Sequence, residues 1–137
     1  MKNLLIDTNI ILDLLAKRYP FYDFAAEIFS LADTKKVELY TSSISIINTN
    51  YILAKILSEK EAREILRKFR ILVKVLPCDE KIIDLGLNSS FKDYEDSVQY
   101  FTAIENQMDS IITRNVKDFK SSKIPIMTAE EFLKSNR

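Results

Sequence analysis

Two short apolar runs that each end in a polar cluster place the strongest constraint on the fold of this chain. Residues 4–6 (LLI) are followed by the cluster DTN at 7–9, and residues 110–112 (SII) by the cluster TRN at 113–115. Runs that are apolar on both faces are typical of strands buried inside a parallel sheet. Ligands of open α/β sheets bind beyond the carboxyl ends of the strands. Both clusters are therefore predicted to lie at one edge of a sheet, where Asp7 supplies a carboxylate.

The remaining sequence alternates segments with strand-like and helix-like patterns. Such alternation predicts crossover units, and therefore an α/β fold with a mainly parallel sheet covered on both faces. With 137 residues, the chain is predicted to form one domain over residues 1–137. The predicted strands are 3–6, 37–41, 72–76, 110–113 and 124–127, and the predicted helices are 9–17, 22–34, 44–57, 60–70, 79–88, 94–106 and 129–135.

The composition excludes several classes of chemistry. The chain has no histidine and one cysteine, Cys78, which excludes a Ser-His-Asp triad, a histidine-bound metal and a multi-cysteine zinc site. Its one glycine, Gly86, excludes the glycine-rich loops that bind nucleotide phosphates. Metal chemistry is then limited to hard oxygen ligands, which favours Mg²⁺ or Mn²⁺. A single cysteine is typical of a protein in the reducing cytoplasm, so a cytoplasmic location is predicted. No apolar stretch is long enough to span a membrane, so no association with a membrane is predicted.

Three acids lie at the start of the helix predicted at 94–106. A helical projection of about 100° per residue places Asp93 and Asp96 beside the apolar stripe and turns Glu95 toward solvent. That stripe is formed by Tyr94, Val98, Phe101 and Ile104. Acids in a first helical turn commonly cap the helix and interact favourably with the helix dipole. A carboxylate there can also bind a metal, so both roles remain open.

Three sequence blocks carry a family resemblance. They are residues 7–13 (DTNIILD), 91–96 (FKDYED) and 113–119 (TRNVKDF). They resemble the signature blocks of PIN domains, in particular those of VapC-type toxin ribonucleases. The match extends from Asp7 to residues 128–132 (TAEEF). The resemblance implies a three-layer α/β/α fold and a divalent-metal-dependent ribonuclease, with Mg²⁺ or Mn²⁺ as cofactor, RNA as substrate and a protein antitoxin as partner.

The resemblance also implies roles for individual residues. Asp7, Asp96 and Asp118 match metal-binding acids, and Asn115 is a further candidate for a catalytic polar residue. The family has a Glu in the helix after the second strand, and here that position is Asn48. An amide oxygen can still bind a metal or orient water, but it brings no negative charge. The resemblance therefore predicts a catalytic set that includes Asn48, with weaker metal binding than is usual.

Other side chains near these blocks are candidates for substrate contact. They are Thr8, Thr113, Arg114 and Lys117, and the neighbouring Lys120 and Lys123 suit a rim that faces RNA. Asp13 is more typical of a structural acid than of a ligand. Thr8 can simply cap the first helix, and Arg114 can pair with an acid instead of a phosphate. Aromatic residues of the second helix suit packing, or a surface for a homodimer or an antitoxin.

Two other functions are weighed against the nuclease. A catalytically weak or inactive PIN-like domain that binds RNA or protein is motivated by Asn48. A receiver-like regulatory domain also uses acids after parallel strands. It is disfavoured because the middle strand at 72–76 is followed by Pro77 and Cys78, and an acid comes only at Asp79.

Overall fold

A five-stranded, entirely parallel sheet forms the centre of the molecule in the computed structural model, which describes residues 1–136. The strand order is β3-β2-β1-β4-β5. Residue pairs such as Leu4 with Leu39 and Leu4 with Ser110 set the register of β1 against its two neighbours. The strands are β1 Lys2–Ile6, β2 Val37–Ser42, β3 Val73–Leu76, β4 Ser110–Ile112 and β5 Ile126–Met127.

Within residues 1–136, seven α-helices cover the two faces of this sheet, which confirms the predicted three-layer α/β/α architecture. Helices α1 to α4 and α7 contribute to the larger core on one face, and α6 contributes to the smaller core on the other, where α5 packs against it. The helices are α1 Thr8–Leu15, α2 Tyr22–Asp33, α3 Ser43–Ile56, α4 Glu59–Phe69, α5 Glu80–Leu87, α6 Tyr94–Glu105 and α7 Ala129–Ser135.

The first strand explains why both faces of the sheet are apolar. Successive side chains of a strand point to opposite faces. Leu4 and Ile6 therefore enter the larger core, whereas Leu5 between them enters the smaller one, and all three are fully buried. Burying a leucine or isoleucine side chain stabilises a fold by about 1.5–3 kcal/mol. The uninterrupted apolar run is thus what a strand covered on both sides requires.

The predicted elements are present, with different bounds at several ends. The last strand is shorter than predicted, because only Ile126 and Met127 pair with β4. A short 3₁₀ helix at Val116–Phe119 was not predicted, and its Phe119 is buried in the smaller core. No helix among residues 1–136 is long and apolar enough to cross a membrane.

Polar residues at strand ends begin several helices at one edge of the sheet. Asp7 follows β1 and is the N-cap of α1, and its side chain accepts a hydrogen bond from the backbone of Thr8. Ser42 ends β2 and caps α3 in the same way, with Ser45 as the donor. A capping side chain satisfies a backbone N–H that the helix leaves free. Polar groups therefore concentrate at the carboxyl edge.

Candidate functional site

A cavity of about 770 Å³ opens at the carboxyl edge of the sheet. Its walls come from α1, from the segment that leads into α6, and from the 3₁₀ helix, so both helical layers contribute. Carboxylates dominate its polar lining. They are Asp7, Asp93, Glu95, Asp96 and Asp118. The three acids predicted to bind metal are thus brought to one cavity.

Asp7 is the most firmly held of these acids, with only 6% of its surface exposed. One carboxylate oxygen accepts hydrogen bonds from the backbone N of Thr8 (2.8 Å) and from Nε2 of Gln99 (3.2 Å), and the other accepts from Oγ1 of Thr113 (2.8 Å). Burial raises the pKa of Asp7, and these three hydrogen bonds oppose that rise. The side chain is therefore oriented by β4 and α6 as well as by its own helix.

Gln99 and Ser45 belong to the site and were missed by sequence reasoning. Both are buried, and the Gln99 amide donates to Ser45 Oγ as well as to Asp7. Ser45 Oγ also accepts from Oγ1 of Thr8 at 2.8 Å, which links α3 to α1. The available signal was the position of Gln99 three residues after Asp96, since residues three apart share a helix face. In a sequence, a neutral amide or hydroxyl is a weaker indication of a functional site than a carboxylate is.

Asp96 has a strongly raised pKa as well. Burial of this half-buried carboxyl, followed by the charges of Asp93, Asp7, Asp118 and Glu95, raises its pKa from 3.8 to about 7. Its backbone N donates to the Asp93 side chain (3.1 Å), so Asp93 caps α6 while it also lines the cavity. Like charges disfavour one another's ionised form. The cavity therefore favours a cation or a proton.

Cationic side chains share the cavity with the acids. They are Arg18, Lys92, Lys117 and Lys120. Lys117 was predicted to contact substrate, and Arg18, from the segment between α1 and α2, was not singled out by the sequence. Thr8 and Asn115, both predicted site residues, also line the cavity. A wall with both signs of charge suits a ligand that carries anionic groups around a cation.

Asn48, predicted to belong to the catalytic set beside the metal-binding acids, adjoins the cavity through Glu95. It is not among the residues that line the cavity, and its Nδ2 donates to Oε1 of Glu95 at 2.7 Å. Glu95 itself is exposed, as the helical projection predicted, and it also lines the cavity. The projection took Tyr94 as a core residue, but Tyr94 is 43% exposed and the buried arc of α6 runs from Ser97 to Ala103. The predicted face was rotated for this reason.

Thr113 and Arg114 are also absent from the cavity lining, so their predicted contact with substrate is not supported by their positions. Thr113 is fully buried and donates to Asp7. Arg114 lies 3.1 Å from Oδ2 of the buried Asp13 and stacks on the ring of Phe21 at 4.2 Å. Asp13 is 1% exposed, so it is a structural acid that needs this partner.

The donor atoms at the cavity fit a hard divalent cation. The lining offers carboxylate, amide and hydroxyl oxygens from Asp7, Asp96, Asp118, Asn115 and Thr8, which are the ligand types that Mg²⁺ and Mn²⁺ prefer. Within residues 1–136 no three acidic or thiol side chains are close enough to enclose an ion by themselves. Mg²⁺ commonly retains several waters and uses only one or two carboxylates. The open arrangement therefore remains compatible with such an ion.

The comparisons with known protein families and with known sequences agree with each other. A family model described as a PIN domain matches residues 3–117. Ribonuclease VapC1 of Aquifex aeolicus (strain VF5) is 32% identical over 132 residues, which cover 93% of this chain and 90% of the relative. The match therefore includes nearly the whole of both proteins.

Solved structures share the fold. FitAcB from Neisseria gonorrhoeae superposes with a TM-score of 0.71 at 17% identity, covering 93% of this chain and 98% of that one. A toxin-antitoxin complex from Klebsiella pneumoniae gives 0.68 at 24% identity, covering 92% and 97%. DNA-bound VapBC from Salmonella typhimurium gives 0.69 at 19% identity, covering 94% and 99%. At these identities the likeness concerns the fold alone.

Proposed function

This chain belongs to the PIN domain family, in its VapC-type group, and from this premise we propose that it is a ribonuclease that depends on Mg²⁺ or Mn²⁺. The observation that carries the proposal is the convergence of Asp7, Asp96 and Asp118 on one cavity at the carboxyl edge of the sheet. The 32% identity to a ribonuclease over most of both chains supports the same reaction. The reaction is hydrolysis of a phosphodiester bond of RNA.

Asp7, Asp96 and Asp118 would hold the ion, in part through the waters that it retains, with Asn115 as a further oxygen donor. When bound, such an ion lowers the pKa of water and neutralises charge on a phosphate. Asp7 is fixed before any ligand arrives, because three donors hold its two oxygens. The pKa of about 7 for Asp96 means that its carboxyl readily takes up a proton without a cation, so a cation must displace that proton at neutral pH.

The cations of the cavity would bind the RNA backbone. Arg18 and Lys117 line the same space as the acids, and the guanidinium of an arginine matches two phosphate oxygens at once. Lys92 and Lys120 extend this positive lining. None of these contacts reads a base, so they would position a strand without selecting its sequence. Arg114 has no such role in the proposal, because Asp13 and Phe21 occupy its guanidinium.

We further propose that the enzyme is the toxin of a toxin-antitoxin pair and acts in the cytoplasm. The support comes from solved structures of the same fold, several of which are VapBC or toxin-antitoxin complexes. The homodimer expected from the sequence remains a prediction. A catalytically weak PIN-like domain is the second candidate, because Asn48 brings no charge and does not line the cavity.

A nuclease assay tests the proposal. Purified protein is incubated with labelled single-stranded and structured RNA in Mg²⁺, in Mn²⁺ and in chelator, beside Asp7→Asn and Asp96→Asn. We expect cleavage by the wild type only with metal, and at least a hundredfold slower cleavage by either variant. Cleavage that persists in chelator would contradict the metal dependence. No cleavage of any RNA at saturating Mn²⁺ would favour the second candidate.

A further inference from the structure

Glu95 and Asn48 form a contact that bears on the missing family acid. We propose that Glu95, held in place by Asn48, supplies the site with the carboxylate that position 48 lacks. The proposal rests on the proposed function, because it assigns a further acid to the same metal-binding cavity. Asn48 acts here as a positioning residue, since it contacts Glu95 and does not line the cavity.

The contact has a defined polarity. Asn48 donates through Nδ2 to Oε1 of Glu95 at 2.7 Å, which is short for a nitrogen–oxygen hydrogen bond and typical of a charged acceptor. An amide nitrogen cannot bind a metal cation, so the group that Asn48 directs toward Glu95 is a donor only. At this contact the negative charge is therefore carried by Glu95 of α6 and not by position 48 of α3.

Glu95 is well placed to act on an ion in the cavity. It lines the cavity beside Asp96, in the first turn of α6, and the Asn48 bond is the one polar contact recorded for its side chain among residues 1–136. Its second carboxylate oxygen is therefore free to accept from a metal-bound water. With this acid, a fourth carboxylate joins Asp7, Asp96 and Asp118 as a possible partner of the ion, while Asp93 is engaged as the cap of α6.

A second observation concerns Gln99, which holds Asp7 and lies behind the cavity without lining it. Gln99 is 1% exposed, and its Oε1 is buried with no hydrogen-bond partner in the part of the chain that the structure describes. The same amide donates to Asp7 through Nε2. A buried carbonyl oxygen without a partner is costly, and a water or a cation normally satisfies it.

The test transfers the negative charge from position 95 to position 48. Glu95→Gln removes the charge and retains an oxygen that accepts from Asn48. The double variant Asn48→Glu with Glu95→Gln places the carboxylate on α3. The matched control is Glu64→Gln, which makes the same change in net charge at an exposed position of α4 outside the cavity. Mn²⁺ affinity is measured by calorimetry without RNA, and cleavage of RNA is measured separately at saturating metal.

We expect Glu95→Gln to weaken Mn²⁺ binding about tenfold, the effect of one charge acting through water on a divalent ion. The control should bind as the wild type does, and the double variant should recover to within about threefold. Melting in chelator verifies that all four proteins fold.

Equal affinity of Glu95→Gln and Glu64→Gln would overturn the proposal. A double variant that binds no better than Glu95→Gln would overturn the exchange between positions 48 and 95. A wild type that neither binds Mn²⁺ nor cleaves RNA would overturn the proposed function as well. That result differs from one in which the wild type binds metal and Glu95 contributes nothing.

Discussion

The raised pKa of Asp96 predicts that removing this charge stabilises the metal-free protein at neutral pH. The unfolded chain releases the Asp96 proton near pH 3.8, whereas the folded protein keeps it until about pH 7. Between these values the folded state binds more protons, so the free energy of unfolding falls as the pH rises. Asp96→Asn removes this penalty. Its backbone N can still donate to the Asp93 cap, because the cap does not use the Asp96 side chain.

The size of the effect follows from the same values. A rise from 3.8 to about 7 corresponds to an upper limit of about 4 kcal/mol, at 1.36 kcal/mol per pH unit. Asp96 is only half-buried, so solvent screens its interactions with the other acids and the limit must be reduced. We expect Asp96→Asn to raise the free energy of unfolding by about 1–2 kcal/mol at pH 8 and by almost nothing at pH 4.

Urea unfolding in chelator at pH 4, 6 and 8 measures this difference. Asp7 and Asp13 also have raised pKa values, so the wild type and the variant both lose stability as the pH rises. The informative quantity is therefore the difference between the two proteins at each pH. Glu64→Gln serves as the control for a change in net charge. A difference that stays the same from pH 4 to pH 8 would refute the assignment of the high pKa to Asp96.

Three further substitutions test contacts described above. Arg114→Ala leaves Asp13 buried without its partner, and should cost about 3 kcal/mol at pH 8 and less as the pH falls and Asp13 takes up a proton; a loss in urea unfolding that does not change with pH would contradict this. Gly86→Val adds a side chain whose Cβ would lie only 2.8 Å from Oγ of Ser97. This crowding should lower the free energy of unfolding by about 1–3 kcal/mol, which is measured as a lower urea midpoint. Gln99→Leu removes a donor to Asp7, and should lower kcat on RNA about tenfold to a hundredfold with the circular dichroism spectrum unchanged; an unchanged kcat would show that Asp7 needs no such support.

The sequence predicted the sheet well because its strands carry a strong signal. Strand residues buried under both helical layers are mostly apolar, and residues 4–6 of β1 and 111–112 of β4 follow this rule. Segments of weak periodicity were harder to place. The 3₁₀ helix at Val116–Phe119 buries one aromatic residue and exposes two charged ones, so no repeating pattern marks it.

The site was predictable where a charge follows a strand and less so elsewhere. Asp7 satisfies that rule, and Asp96 was found because acids begin its helix. Glu95 is exposed, as the projection predicted, but its place in the cavity lining was not foreseen, because the projection assumed that Tyr94 is buried. Tyr94 instead lies over the backbone of α5, and its hydroxyl donates to the carbonyl of Ile83. Arg18 depends on tertiary contacts that no local pattern contains, and Gln99 has only the weak local signal of its spacing from Asp96.

The separation of the molecule into two cores determines which wall of the cavity can move. Leu4 and Leu5 are adjacent in the chain but belong to different cores. The larger core anchors α1 and Asp7, whereas the smaller one holds α6, and with it Asp96. A smaller core opens at lower free-energy cost. We therefore expect the α6 wall of the cavity to open at a lower free-energy cost than the α1 wall.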